Sequence, residues 1–202
     1  MNNRGIGNRQ TRMICTEFKT REDSENPVIE GYFAVFNSNY DIAPGMSESI
    51  APGAFTEALG GDVRALVNHD TTLVLGRNKA GTLELREDSH GLWGQVRINP
   101  NDSAAMDLYE RVKRGDVDGC SIGFDIAEEE TEFLESGDVH FTIKRISPLY
   151  EVSACTFPAY QETNVSAREA QVEEIRRREA EAWRAKVKER LKNGTKSTGP
   201  AQ

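Results

Sequence analysis

The chain has 202 residues and a formal net charge of −8, which suits one domain with a hydrophobic core and an additional segment. The negative charge argues against general binding to nucleic acids or to anionic membranes. No apolar run approaches the ~20 residues of a membrane span, and the N-terminal residues lack the apolar core of a signal peptide. The sequence therefore predicts a soluble protein.

Cysteine and histidine content narrows the possible chemistry. The cysteines Cys15, Cys120 and Cys155 are odd in number, widely spaced and set in apolar segments. This pattern predicts reduced core residues in a cytoplasmic setting. The three histidines form no cluster with cysteines, which argues against a zinc site, and no other cofactor is indicated.

The first part of the chain is predicted to consist mainly of strands. Residues 1–10 are polar and Gly-rich, which is typical of disorder. Runs of β-branched and aromatic residues bounded by Gly, Pro and Asn predict the strands that follow. The predicted elements are strands at about 11–19 and 28–36, a loop over 37–50, a short helix at 51–59 and a strand at 63–68 that leads to His69.

The middle of the chain predicts more strands and one capped helix. Glycine-containing turns separate the first three strands, which indicates an antiparallel meander. The predicted elements are strands at about 72–77, 82–87 and 92–98, a helix over 103–113 ended by Gly115, the strand containing Ser121, an acidic loop at 128–135, and strands at 139–146 and 149–157. Many short strands with few helices predict an α+β fold with a mostly antiparallel, β-barrel-like core and flanking helices.

The composition changes after about residue 162. A capping box at Ser166–Glu169 predicts a charged helix that runs to about Asn193. Its apolar stripe is thin, which favours a docking or pairing role over deep burial. The predicted organisation is a disordered N-terminus at 1–10, a core domain at 11–162 and a charged helical tail at 163–202.

Three residues suggest nucleophilic chemistry. In a strand, Cys120, Ile122 and Phe124 share one apolar face, while Ser121, Gly123 and Asp125 share the other. His69 ends one strand, and Glu151 lies in an apolar strand where an unpaired carboxylate is rare. A serine, a neutral imidazole base and an orienting acid are the parts of a hydrolase. Spacing alone permits this triad without requiring it. Without other evidence, the pattern favours interpreting Ser121 as a solvent-facing strand residue and His69 as a turn residue.

Alternatives exist for two of these roles. Glu151 could pair with a basic residue, Lys144 or Arg145, instead of with His69. His140 could serve as the third member of a triad, although it follows an apparent exposed turn. Cys120 is chemically a better nucleophile than serine, but its position on the apolar face favours Ser121. His90 falls in a hairpin turn and is interpreted as structural.

Five segments, taken in order, resemble the prohead maturation proteases of tailed phages, and the resemblance covers about residues 11–160. The segments are Val28-Ile-Glu-Gly-Tyr-Phe-Ala-Val-Phe36, Ile50-Ala-Pro-Gly-Ala-Phe55, Val67-Asn-His-Asp70, Gly119-Cys-Ser-Ile-Gly-Phe124 and Leu149-Tyr-Glu-Val-Ser-Ala-Cys-Thr-Phe-Pro-Ala159. The resemblance implies a fold similar to the herpesvirus capsid-assembly protease. It also implies a serine endopeptidase that works inside the procapsid, in the host cytoplasm.

The resemblance assigns roles to individual residues. The histidine of the Asn-His-Asp motif is His69, the serine of the Ser-Ile-Gly-Phe motif is Ser121, and the acid of the Leu-Tyr-Glu-Val-Ser motif is Glu151. The herpesvirus relatives use a second histidine as the third member, which keeps His140 as the alternative. An oxyanion hole is required, and the backbone N–H of Ile122 or Gly123 is the suggested donor.

The same resemblance implies partners. The substrates would be scaffold segments, the N-terminal extension of the major capsid protein, and the protease itself. The charged tail would dock the protease to the scaffold or shell, or be removed by self-cleavage. Analogy with the herpesvirus enzymes suggests a homodimer. A non-catalytic capsid assembly factor with a protease-like fold is the alternative function.

Overall fold

A computed structural model describes residues 10–15, 18–22, 26–156 and 162–194. The chain divides into two units, residues 1–160 and 161–202. The described elements of the first unit are the strands β1 (Gln10–Cys15), β2 (Lys19–Glu22), β3 (Pro27–Val35), β4 (Tyr40–Ala43), β5 (Met46–Ile50), β6 (Arg64–Val67), β7 (Asp70–Arg77), β8 (Leu83–Glu87), β9 (Gly91–Arg97), β10 (Gly119–Phe133) and β11 (Val139–Cys155), and the helix α1 (Ser103–Arg114).

The larger sheet has seven strands and is built around β11. Its main order is β1-β10-β11-β5-β4, and β6 pairs with β11 and with β7. The long hairpin of β10 and β11 is antiparallel. Two shorter strands run parallel to β11, β5 along its first residues and β6 along its last. Residues from the end of β6 are therefore delivered beside the end of β11.

The smaller sheet has four antiparallel strands in the order β2-β3-β9-β8. Strands β3 and β9 approach each other closely because β9 begins with a glycine. A Cβ on Gly91 would lie 2.0 Å from the carbonyl oxygen of Ala34, so that position excludes every other residue type unless the backbone moves.

The hydrophobic core contains side chains from both sheets and from α1. Its large, fully buried members include Phe33, Phe55, Leu92, Ile122 and Phe124. Helix α1 begins where the Asp102 carboxylate accepts the backbone N–H groups of Ala104 and Ala105. It ends at Gly115, whose left-handed conformation is that of a typical C-cap.

The α+β class, the predominance of antiparallel strands and the helix at 103–113 are confirmed. The described strands form two open sheets, so the predicted β-barrel-like core does not close into a barrel. The predicted disordered N-terminus at 1–10 lies outside the described residues except for Gln10, with which β1 begins. Residues 195–202 of the predicted tail also lie outside them.

Several predicted elements in the first half of the chain were wrong. The strand at 11–19 is two strands, β1 and β2, in different sheets. The loop at 37–50 contains the hairpin β4–β5, whose turn at Pro44-Gly45 was taken as part of a loop. The helix at 51–59 is a series of turns followed by a 3₁₀ turn at Ala58–Gly60.

The strands around the predicted meander and the predicted acidic loop also differ from the prediction. Strands β7 and β8 belong to different sheets and do not form one meander. The acidic loop at 128–135 is mostly strand, since β10 continues to Phe133 with its carboxylates pointing largely into solvent. The two predicted strands that follow are one strand, β11, which passes through Pro148.

The second unit contains one described element, the helix α2 (Glu162–Gly194). Its described side chains are mainly exposed and include the exposed Trp183. Ion pairs between Glu174 and the arginines one turn later, Arg177 and Arg178, follow the helical surface. Among the described residues, no helix is long and apolar enough to cross a membrane.

Candidate active site

His69 lies in the two-residue loop that joins β6 to β7. Asn68 and His69 have positive φ angles of 48° and 62°, and Val67 pairs with Asp70 across the loop. Positive φ at both loop residues is the pattern of a type I′ turn, which normally favours Asn followed by Gly. A histidine in the second position costs about 1–2 kcal/mol in backbone strain. The surrounding contacts therefore have to hold it there.

Contacts with the end of β11 hold this turn. The N–H of Asn68 donates to the carbonyl of Ala154 at 2.9 Å. The side-chain oxygen of Asn68 accepts the N–H of Thr156 at 3.0 Å. These bonds follow from the parallel pairing of β6 and β11, which brings the turn to the last residues of β11.

His69 and Glu151 are in direct contact, which was one of the alternatives that the sequence left open for Glu151. The Nδ1 atom of His69 lies 2.7 Å from Oε1 of Glu151. The Glu151 side chain is 2% exposed and that of His69 is 21% exposed. An ionised carboxylate can only accept hydrogen bonds, so it places the proton of a neutral imidazole on Nδ1. That tautomer leaves Nε2 unprotonated and able to act as a base.

Ser121 lies on the same face of the sheet as Glu151. It pairs directly with Ser153 in the register of β10 and β11, and Gly123 pairs with Glu151. Ser121 is fully buried, and its hydroxyl makes no hydrogen bond within the described structure. The alternative interpretation of Ser121 as a solvent-facing strand residue is wrong, since both faces of β10 are buried from Cys120 to Phe124.

Ser153 was not anticipated as a site residue. It is fully buried, donates a 2.5 Å hydrogen bond to Oε2 of Glu151 and accepts the backbone N–H of His69 at 3.3 Å. Its signal in the sequence was its strand parity, because residues two apart on a strand share a face. Ser153 stands two positions after Glu151 on β11.

A protein-family model described as caudovirus prohead serine protease matches residues 16–178. The chain belongs to this family. It is also 35% identical over 159 residues to the prohead protease of Enterobacteria phage HK97, a match that covers 75% of this chain and 64% of that protein. The chain thus spans somewhat less than two thirds of the length of this prohead protease.

A solved structure, that of the bacteriophage T4 capsid assembly protease, is also similar. It is 11% identical and has a TM-score of 0.43, and the match covers 72% of this chain and 98% of the T4 chain.

The other residues that the sequence suggested for the triad, or as partners of Glu151, lie away from Glu151 or interact with other side chains. His140 is near the start of β11, whereas Glu151 is near its end. Its ring nitrogens bond to the hydroxyls of Ser47 at 2.8 Å and Ser49 at 2.9 Å. The basic residues considered as partners of Glu151 have other acids: Lys144 pairs with Glu130, and Arg145 with Glu57 and Glu128. The ring of His90 packs edge-on against Tyr32.

The two cysteines with described side chains, Cys120 and Cys155, are both buried. Cys120 lies on the core face, as predicted, and its thiol donates to the carbonyl of Tyr32 at 3.2 Å. Cys155 lies on the Glu151 face, with its sulfur 3.9 Å from Nε2 of His69. Burial, and then the charge of Glu151, raise the pKa of the Cys155 thiol to about 12, so it remains protonated beside the imidazole at neutral pH. Within the described residues, no three acidic, histidine or cysteine side chains group as metal ligands.

Proposed function

We propose that this chain is a serine endopeptidase of phage capsid maturation, with Ser121 as nucleophile, His69 as base and Glu151 as the third member of the triad. The observation that supports the proposal best is the 2.7 Å contact between His69 Nδ1 and Glu151 Oε1. The register of β10 and β11 places Ser121 on the same face as this pair. Membership of the prohead serine protease family supplies the reaction class.

The proposed reaction is acyl transfer. Nε2 of His69 takes the proton of Ser121 as the serine oxygen bonds to the carbonyl carbon of a peptide bond. The imidazolium is stabilised by the Glu151 carboxylate and then gives its proton to the leaving amine as the C–N bond breaks. Water, activated by the same imidazole, hydrolyses the acyl-enzyme. A hydrogen bond between Ser121 and His69 is absent in the free chain, and such bonds often tighten only when substrate binds.

The proposed substrates are scaffold segments, the N-terminal extension of the major capsid protein, and the chain itself, all inside the procapsid. The HK97 relative is named a prohead protease, which supports this assignment. We further propose that the tail containing α2 docks the protease to the scaffold or shell, or is removed by self-cleavage. The exposure of its described side chains, Trp183 included, supports such a role.

The test is co-expression of the chain with the major capsid protein of the same phage, followed by intact-mass measurement of every product. Ser121→Ala should abolish all cleavage and leave the circular dichroism spectrum unchanged. Ser136→Ala is the matched control, since Ser136 is an exposed turn residue bonded only to its neighbour Asp138, and it should cleave like the wild type.

Three results would be informative. Cleavage by the wild type and by Ser136→Ala but not by Ser121→Ala, with cuts in the capsid protein or in residues 160–202, would establish the serine mechanism and locate the sites. Cleavage by Ser121→Ala would overturn the assignment of the nucleophile. Uncut masses in every variant, even in assembled shells, would favour a non-catalytic assembly factor.

A further inference from the structure

We propose that Ser153 is a positioning residue that fixes both the carboxylate and the histidine of the triad through one hydroxyl group. The inference rests on the proposed function, because it concerns how Glu151 and His69 are held for that reaction. Ser153 lies on β11 within hydrogen-bonding distance of both residues, and it is neither the nucleophile nor the base.

The hydrogen-bonding capacity of one hydroxyl accounts for the arrangement. A serine has one O–H to donate and two lone pairs that accept. Ser153 donates to Oε2 of Glu151 at 2.5 Å, and it accepts the backbone N–H of His69 at 3.3 Å. The first bond fixes the plane of the carboxylate, so that its other oxygen, Oε1, faces Nδ1 of His69. The second bond holds the main chain of the histidine.

Burial makes this hydroxyl hard to replace. Ser153 is 0% exposed and Glu151 is 2% exposed, so bulk water has no direct access to take over the hydrogen bond to Oε2. A buried carboxylate that loses one of its donors is destabilised in its charged form. That form is the one that keeps the imidazole proton on Nδ1 and stabilises the imidazolium.

The hydrogen bond from the His69 N–H to Ser153 helps to hold the strained backbone of His69 in place. His69 has a φ of 62° in a position where glycine is usual. Its N–H points to Ser153, while the N–H of Asn68 bonds to Ala154. Removal of the Ser153 hydroxyl would leave the strained residue without this anchor. We expect the loss of either hydrogen bond of Ser153, to Glu151 or from the His69 N–H, to alter the orientation of the imidazole and to leave the contacts with substrate unchanged.

The kinetic test uses Ser153→Ala, Ser153→Cys and, as a matched control, Ser49→Ala. Ser49 is also a buried serine bonded to a histidine, since its hydroxyl lies 2.9 Å from Nε2 of His140. On a peptide that spans a mapped cleavage site, Ser153→Ala should lower kcat by about 10- to 100-fold, the range expected for a hydrogen bond to a charged group. KM should change by less than about twofold, because only transition-state stabilisation is lost. Ser49→Ala should keep the wild-type kcat.

Ser153→Cys keeps the test valid if the alanine variant does not fold. A thiol has a similar shape but is a weak donor, so it fills the site without restoring the bond. We expect its kcat to fall into the range given for Ser153→Ala. A wild-type kcat in a folded Ser153→Ala or Ser153→Cys variant would overturn the proposal.

A spectroscopic measurement separates this inference from the proposed function. In ¹⁵N-histidine-labelled protein with Ser121→Ala, the Nδ1–H proton bonded to Glu151 should give a downfield resonance that His69→Gln removes. Adding Ser153→Ala should shift that resonance upfield or broaden it, whereas adding Ser49→Ala should not. An unchanged resonance would refute the role of Ser153 even if the protease assignment holds. A shifted resonance would support it even if the chain cleaves nothing.

Discussion

Ser121 and Ser153 stand directly opposite each other on β10 and β11, yet only Ser153 makes hydrogen bonds in the described structure. The two serines are equally buried. A buried hydroxyl without a partner costs about 1–3 kcal/mol. Within the described residues, the hydroxyl of Ser153 is therefore satisfied and that of Ser121 is not, which supports the proposed role of Ser121 as the nucleophile.

Replacing Glu151 with glutamine tests the third member of the triad. Glu151→Gln preserves the size of the side chain but removes the charge that stabilises the imidazolium and sets the Nδ1–H tautomer. We expect kcat to fall by about 10²–10⁴-fold, with the upper end set by the loss seen when a triad aspartate becomes asparagine. Steady-state kinetics on the mapped peptide measures this.

A glutamate on the exposed part of the same hairpin provides the control. Glu130→Gln removes only a surface pair with Lys144 and should retain wild-type kcat. If Glu151→Gln also stayed within threefold of the wild type, Glu151 would not be the third member, and His140→Ala would be the next variant to measure.

The thiol of Cys155 is expected to resist alkylation in the folded chain. Its pKa is raised to about 12 by burial and by the charge of Glu151, and only the thiolate reacts. At pH 8 the thiolate fraction is about one in ten thousand, and it rises about tenfold for each pH unit until the pKa is reached. Peptide mapping after iodoacetamide treatment should show Cys155 unmodified when folded and modified in urea. Rapid labelling of the folded chain at pH 8 would contradict the burial of this thiol.

Asn68 should stabilise the turn that presents His69. Asn68→Gly keeps the positive φ accessible but loses the bond to the N–H of Thr156, whereas Asn68→Ala also strains the backbone. We expect Asn68→Ala to lower the free energy of unfolding by about 1–2 kcal/mol more than Asn68→Gly. Urea denaturation in a Ser121→Ala background, which prevents self-cleavage, measures the difference.

Asn37 offers a matched comparison for Asn68. It has a φ of 54° and lies in the loop between β3 and β4. Asn37→Ala should cost similar stability and leave kcat unaltered, whereas Asn68→Ala should lower kcat as well. Equal kcat values for the two alanine variants would show that the Asn68 turn does not orient His69.

The ion pair of Arg12 and Glu48 should be worth far more than a surface pair. Arg12 is 5% exposed and Glu48 is 1% exposed. The guanidinium bonds both carboxylate oxygens, Nε to Oε1 and one terminal nitrogen to Oε2 at 3.0 Å, and it lies 6.0 Å from the ring centres of Tyr40 and Phe124. Replacing one residue by a neutral one leaves the charge of the other buried without this ionic partner. Arg12→Met or Glu48→Gln should each cost about 3–5 kcal/mol of unfolding free energy.

The double variant distinguishes the ion pair from simple packing. Arg12→Met with Glu48→Met removes both charges together, so its cost in urea denaturation should be well below the sum of the single costs. Strictly additive losses would show that the two side chains stabilise the sheet independently.

Local patterns in the sequence predicted those parts of the molecule that depend on neighbouring residues. The alternation of Cys120, Ile122 and Phe124 correctly identified a core face, and Asp102 and Gly115 marked the ends of α1 through capping. The contact of His69 with Glu151 was among the predicted alternatives, because an apolar strand leaves a carboxylate in need of a partner.

Features that depend on distant segments were not predictable in this way. Ser121 is buried on its second face as well, and no pattern within β10 reveals what covers it. The ion pair of Arg12 and Glu48 joins β1 to β5, which meet only through the arrangement of the large sheet. Ser153 looked like one more small residue in an apolar strand, because its two hydrogen bonds depend on the turn at His69.

The parallel pairing of β6 with β11 also determines when the contact between His69 and Glu151 can form during synthesis. His69 emerges from the ribosome long before Glu151 and Ser153, and loop closure across such a separation is slow compared with local folding. In a nascent or partly folded chain, the His69 imidazole is therefore not yet in contact with the Glu151 carboxylate. Since β11 is the last of the described strands in the sequence, the contact between His69 and Glu151 can form only after that strand is in place.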